Sequence, residues 1–97
     1  MISSVVFHEL ADQELIEATQ YYEAESSGLG GTFLKEIEHA IKEIQSNPKS
    51  SPVVLKVVRR KLLRRFPYSI MYSIVNNTVN ILAIANQKRR PFYWRSR

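Results

Sequence analysis

The sequence contains no cysteine, which excludes disulfides, thiolate metal sites and thiol nucleophiles together. Its two histidines, His8 and His39, cannot build a zinc site by themselves, and no metal or cofactor is expected. Long apolar runs are missing too. The longest, such as Ile81 to Ala85, are about five or six residues, far short of a membrane span. The first residues lack the basic region, apolar core and small-residue cleavage site of a signal peptide, so a soluble cytoplasmic protein is expected. Acid is missing from the whole second half. All nine acidic residues lie between Glu9 and Glu43.

What is present is ordinary globular material. Ninety-seven residues, 44% hydrophobic and 24% charged, make one domain (1–97) and leave no case for wholesale disorder. Residues 1–48 hold nine acids and two lysines, net −7, whereas residues 49–97 hold twelve Lys or Arg, net +12. Acidic helices can neutralise basic strands within a fold, but an excess of five charges remains. That excess points to an acidic or polyanionic partner.

Ser3 to Phe7 reads as a short strand, β-branched and aromatic. Ala11, Leu15, Ala18 and Tyr22 then recur at helical spacing, with acids between them. The turn at Ser26–Gly31 leads to a second helix carrying Phe33, Ile37, Ala40 and Ile44 on one stripe. Asn47-Pro48 ends it. The short connection predicts a helical hairpin. Tyr68 to Val75 alternates as a two-faced strand, Asn76-Asn77 is a turn signal, and Thr78 to Ala85 reads as a buried strand. Val57 to Phe66 reads as a further strand whose grouped basic residues leave its register open. The predicted fold is α+β, β-α-α-β-β-β, with the hairpin packed on a small, mainly antiparallel sheet.

No self-sufficient catalytic motif is present. Gly28, Gly30 and Gly31 join helix to helix rather than following a strand, so they read as a turn and not a phosphate loop. His8 reads as a cap or packing residue, and His39 as solvated. The informative segments are Arg59 to Tyr68 and Asn86 to Arg95, which mix guanidinium groups with aromatic rings. Such mixtures bind phosphates and bases, and they also dominate protein interfaces.

These residues resemble the RelE/ParE superfamily of bacterial type II toxin–antitoxin toxins. The resemblance runs through Glu17-Ala18, Tyr21-Tyr22-Glu23, Gly28-Leu29-Gly30, Phe33 and Glu36. It continues through Asn47-Pro48, Arg64-Arg65-Phe66-Pro67-Tyr68, Ile81 to Ala85 and Arg89-Arg90-Pro91-Phe92-Tyr93-Trp94. It implies the same fold and a cognate antitoxin with an acidic amphipathic C-terminal segment. Leu62, Leu63, Arg59 and Arg60 are its expected contacts.

The superfamily holds two activities. RelE-like members cleave messenger RNA on the ribosome with a basic cluster and a tyrosine, for which this chain offers Arg60, Arg65, Arg89 and Tyr93. Three of the five matching positions, however, fall on Leu62, Ser69 and Gln87, and Asn86 stands where many relatives carry histidine. ParE-like members instead poison DNA gyrase by binding, and the depleted cluster resembles them more. On that reading a non-enzymatic inhibitor is expected, with Arg64, Arg65, Lys88, Arg89, Arg90, Tyr93, Trp94 and Arg95 meeting the target. The alternatives are the ribosome-dependent endoribonuclease and an inactive toxin-like binding module.

Overall fold

His8 is the hinge point between the first strand and the first helix. A computed structural model describes residues 4–97; Ser3, read from sequence as part of the opening strand, lies outside the described residues. After β1 (Ser4–Phe7), the imidazole Nδ1 of His8 accepts a hydrogen bond from the Leu10 N–H at 3.1 Å. This caps α1 (Glu9–Glu25), whose first turn also carries Glu9 and Asp12. Cap and acids together answer the unpaired amides at the helix start.

The reversal into α2 (Leu29–Ser46) needs glycine at two places for different reasons. Gly28 has φ +88°, a left-handed conformation that disfavours a side chain. Gly30 approaches α1 so closely that a Cβ would lie 2.8 Å from the Thr19 carbonyl oxygen. Between them, the N–H groups of Gly28 and Gly30 donate to the Glu23 carboxylate at 2.9 and 3.0 Å. An anion from the first helix thus sits at the positive end of the second.

The sheet order is β1-β5-β4-β3-β2. It comprises β2 (Val53–Leu55), β3 (Val58–Leu62), β4 (Tyr68–Val75) and β5 (Thr78–Asn86). β1 runs parallel to β5, and the other pairs are antiparallel. Asn76 and Asn77, at φ 49° and 62°, form the two-residue turn that the right-handed twist of paired strands favours. The expected helical hairpin on a mainly antiparallel sheet is therefore the observed fold, its β-α-α-β-β-β order carrying one short strand more, β-α-α-β-β-β-β.

Two details differ from the sequence reading. β2 is an added three-residue edge strand, too short to show alternation. The basic segment is strand only to Leu62 rather than to Phe66. The Leu63 N–H still bonds the Tyr68 carbonyl, but the next two amides, Arg64 and Arg65, donate to the Glu36 carboxylate. A side chain from α2 takes those donors, and the ladder stops there.

The two faces of the sheet carry separate cores. On the helix side, Phe33, Ile37, Ala40 and Ile44 pack with Ala11 and Ala18 against Ile70, Tyr72, Val79, Ile81 and Ile84, with Leu15 and Tyr22 at the margin. The opposite face has a smaller cluster of Met71, Ala83, Ala85 and Trp94. Among the described residues no helix is long and apolar enough to cross a membrane. Ile37 is 2% exposed, so Ile37→Ala should lower stability by ~2–5 kcal/mol, measured by urea denaturation.

Candidate functional site on the open sheet face

Alternation along the central strands aims Ser69, Met71, Ala83 and Ala85 away from the helices. After β5 the chain turns, with the Arg89 N–H on the Asn86 carbonyl at 3.0 Å and the Lys88 N–H on the Asn86 Oδ1 at 2.9 Å. Residues 87–97 then cross this open face as a strap of successive turns. Trp94 anchors it, packed with Met71, Ala83 and Ala85 beside Val54, Leu55 and Val58.

Between strap and sheet lies a recess of about 490 Å³. Its floor is apolar, from Val54, Leu62, Met71 and Ala85, and Arg60, Arg89 and Arg90 stand among its lining residues. Arg60, Leu62, Ser69, Gln87 and Tyr93, five positions from β3, β4 and the strap, all line it. These are the positions compared above with the nuclease cluster. The fold assembles them, and three arrive without charge.

The fifth position is engaged elsewhere. The Tyr93 hydroxyl donates to Glu14 Oε2 of α1 at 2.7 Å. Arg97 grips the same carboxylate with both terminal nitrogens, at 2.8 Å to Oε1 and 3.0 Å to Oε2. The Ile84 N–H also donates to Oε1, at 3.1 Å, and Arg97 donates to the Leu82 carbonyl at 3.1 Å. The guanidinium of Arg89 lies 3.9 Å from the centre of the Tyr93 ring and that of Arg97 5.1 Å. Burial, then the hydrogen bond to Glu14, push the Tyr93 phenol well above its ordinary range. The hydrogen bond to Glu14 likewise raises the Arg97 guanidinium. Tyr93 stays protonated, with its one donor already committed. Burial and the bond to Glu14 both oppose its ionisation.

The other sequence-predicted residues divide between the two faces. Arg60 and Leu62 open onto the recess, whereas Leu63 is 7% exposed and sits in the helix-side core. Arg59 donates to the Lys49 and Ser51 carbonyls at 3.0 and 2.7 Å, stapling the loop before β2. Of the two leucines expected to meet the antitoxin, only Leu62 lines this recess, because neighbours in extended chain face opposite ways. Arg64 and Arg65 border a separate shallow depression with Lys35, Glu36 and His39. The nuclease quartet is thus not brought together, since Arg65 stands apart. Lys88, Arg89, Arg90 and Arg95 are exposed on the strap. Trp94, expected as a target-facing anchor, is 3% exposed and is a core residue.

Residues 5–91 match the family described as "ParE toxin of type II toxin-antitoxin system, parDE". The chain belongs to this family. No curated protein matches this ParE-family chain. Among solved structures, a chain titled "Chromosomal ParDE TA system from P. aeruginosa" superposes with TM-score 0.73 at 20% identity, covering 88% of this chain and 96% of that one. At that identity the likeness is one of fold.

Sequence reading of this ParE-family toxin missed Glu14 and Arg97. Glu14 reads as one of several acids in an acidic helix, and 83 positions separate it from Arg97, so no local pattern couples them. Their link is testable by a double-mutant cycle. Glu14→Ala leaves a mostly buried guanidinium and a backbone N–H without their acceptor, and should lower stability by ~3 kcal/mol. Glu14→Ala combined with Arg97→Ala should lower it by clearly less than the sum of the single changes.

Proposed function

We propose that this ParE-family toxin inhibits growth by binding DNA gyrase, with no chemical turnover of its own. The acidic amphipathic C-terminal segment of a cognate antitoxin neutralises it by covering the open sheet face. The observation that carries this reading is the state of the recess. Arg60 is the one cation among the five compared positions, and the Tyr93 hydroxyl is bound to Glu14. A phosphoryl-transfer site needs a proton acceptor and donor aimed at the reacting atoms. A binding face needs shape, cations and aromatic area, and these are present.

Gyrase supercoiling assays with purified protein, run beside codon-dependent cleavage on translating ribosomes, test the reading directly. Inhibition of supercoiling without messenger RNA cleavage is the expected result, and the reverse would overturn it. The assembly of Arg60 and Tyr93 around one recess favours the endoribonuclease as the second reading, and Tyr93→Phe separates the two. The ring and its stacked arginines remain, so a binder should keep its potency within a few-fold. A ribonuclease using that hydroxyl would slow by ~10²–10⁴.

The antitoxin half has its own signature. Arg60, Lys88, Arg89, Arg90 and Arg95 form no ion pair among the described residues, leaving positive charge to steer an acidic segment. Raising salt from low to physiological strength should mainly reduce the association rate, with a smaller effect on dissociation. Stopped-flow or surface-binding kinetics at several salt concentrations measure this.

A further inference from the structure

Arg90, Pro91, Phe92 and Tyr93 form a reverse turn closed by the Tyr93 N–H on the Arg90 carbonyl at 3.3 Å. Proline at its second position and φ +60° at its third, Phe92, are the signature of a type II turn. The third position of that turn favours glycine, because a Cβ there crowds the backbone. Here it holds a large aromatic residue. Positive φ is uncommon for any side chain other than Asn or Asp, and bulky residues resist it most.

Packing accounts for only part of this choice. One edge of the Phe92 ring meets Trp94, with centroids 5.8 Å apart and planes at 65°. Yet Phe92 remains 39% exposed, against 3% for Trp94. Trp94 is the socket, and Phe92 is what the socket holds out at the mouth of the recess. Arg89, Arg90 and Arg60 share that mouth. A ring kept in a disfavoured backbone conformation, half in solvent and among guanidinium groups, matches the aromatic and arginine make-up of binding hot spots.

We propose that Phe92 is the apolar anchor of the target-binding face, inserting its ring into an apolar pocket edged with carboxylates on a protein partner. This rests on the reading of the chain as a growth inhibitor that acts by binding, and it moves the anchoring role expected of Trp94 two residues earlier. The left-handed turn holds the ring in place before contact, so little side-chain freedom is lost on binding.

The test exploits opposite effects on stability and binding. Phe92→Gly relieves the backbone, and Phe92→Asn tolerates the same φ without loosening the chain. Both should melt at or above the temperature of the unaltered protein. Both should raise the half-inhibitory concentration against purified gyrase about thirty-fold, the equivalent of ~2 kcal/mol. Growth arrest under graded induction should weaken in parallel. Inhibition undiminished in either variant would overturn the proposal. So would a melting temperature several degrees lower in both, which would make the ring a packing residue for Trp94. If the unaltered protein arrests growth but leaves supercoiling intact, gyrase is the wrong partner. The graded arrest then decides the role of Phe92 by the same comparison. If the unaltered protein does neither, the growth-inhibitor reading and this proposal fall together.

Discussion

β5 has a partner strand on both sides only as far as Ile81, where β1 ends and the His8 N–H makes the last bond, to the Ile81 carbonyl. Beyond that point its outer edge would present bare backbone polar groups, an arrangement folded proteins avoid in the interior. Side chains take the place of the missing strand. Glu14 accepts from the Ile84 N–H, and Arg97 donates to the Leu82 carbonyl. Leu82 is the extra residue where the β4–β5 register shifts between Met71 and Tyr72. Since Glu14 also holds Tyr93 and Arg97, one carboxylate joins α1, β5 and the strap. The open-face core and the recess depend on that junction, because the strap forms one wall of both.

The division of charge along the chain has an equally concrete resolution. Acids of α2 reach down to the basic segment: Glu43 lies 3.3 Å from Lys61 and 3.7 Å from Arg64, and Glu36 lies 3.7 Å from Arg65. Burial alone would push the Glu43 carboxyl up. The Lys61 hydrogen bond and charge, with His39 and Arg64, outweigh it and hold the carboxyl below its usual range. Such partly exposed pairs are each worth little, but they settle where positive charge is left over. Lys61, Arg64 and Arg65 are paired on the helix side, whereas Arg60 and the strap's Lys88, Arg89, Arg90 and Arg95 form no ion pair among the described residues. Two arginines adjacent in sequence illustrate the sorting: Arg59 is spent on loop carbonyls, while Arg60 faces the recess.

Local periodicity made much of this fold legible. The α2 stripe, the β4 alternation and the Asn76-Asn77 turn are contacts or conformations set by near neighbours, and each appears where the sequence places it. β2 carried no such signal, and neither did the end of β3, which is fixed by Glu36 from a different element. The site was legible as a list of residue types but not as a surface. Leu62 and Leu63, or Arg59 and Arg60, look equivalent until register assigns them to opposite faces. Likewise Phe92, Tyr93 and Trp94 are three consecutive aromatics whose separate roles follow from one turn. The positive φ at Phe92 sends its ring outward, Tyr93 toward Glu14 and Trp94 into the core.

Tyr93 is tied into the architecture through its hydroxyl, which donates to Glu14. For catalysis, a tyrosine beside a scissile phosphate must exchange a proton with substrate, which requires a free hydroxyl and a phenol poised to ionise. Here the hydroxyl is tied to a carboxylate that already accepts from a guanidinium, and burial opposes ionisation. The same contacts hold the ring and its neighbour in place. A ring held at its hydroxyl end and stacked against Arg89 restrains that guanidinium, a group that otherwise loses considerable rotamer freedom on association. Restraint applied before the encounter lowers the entropic penalty of contact. The tie to Glu14 that engages the Tyr93 hydroxyl therefore also fixes the ring on which the Arg89 guanidinium stacks.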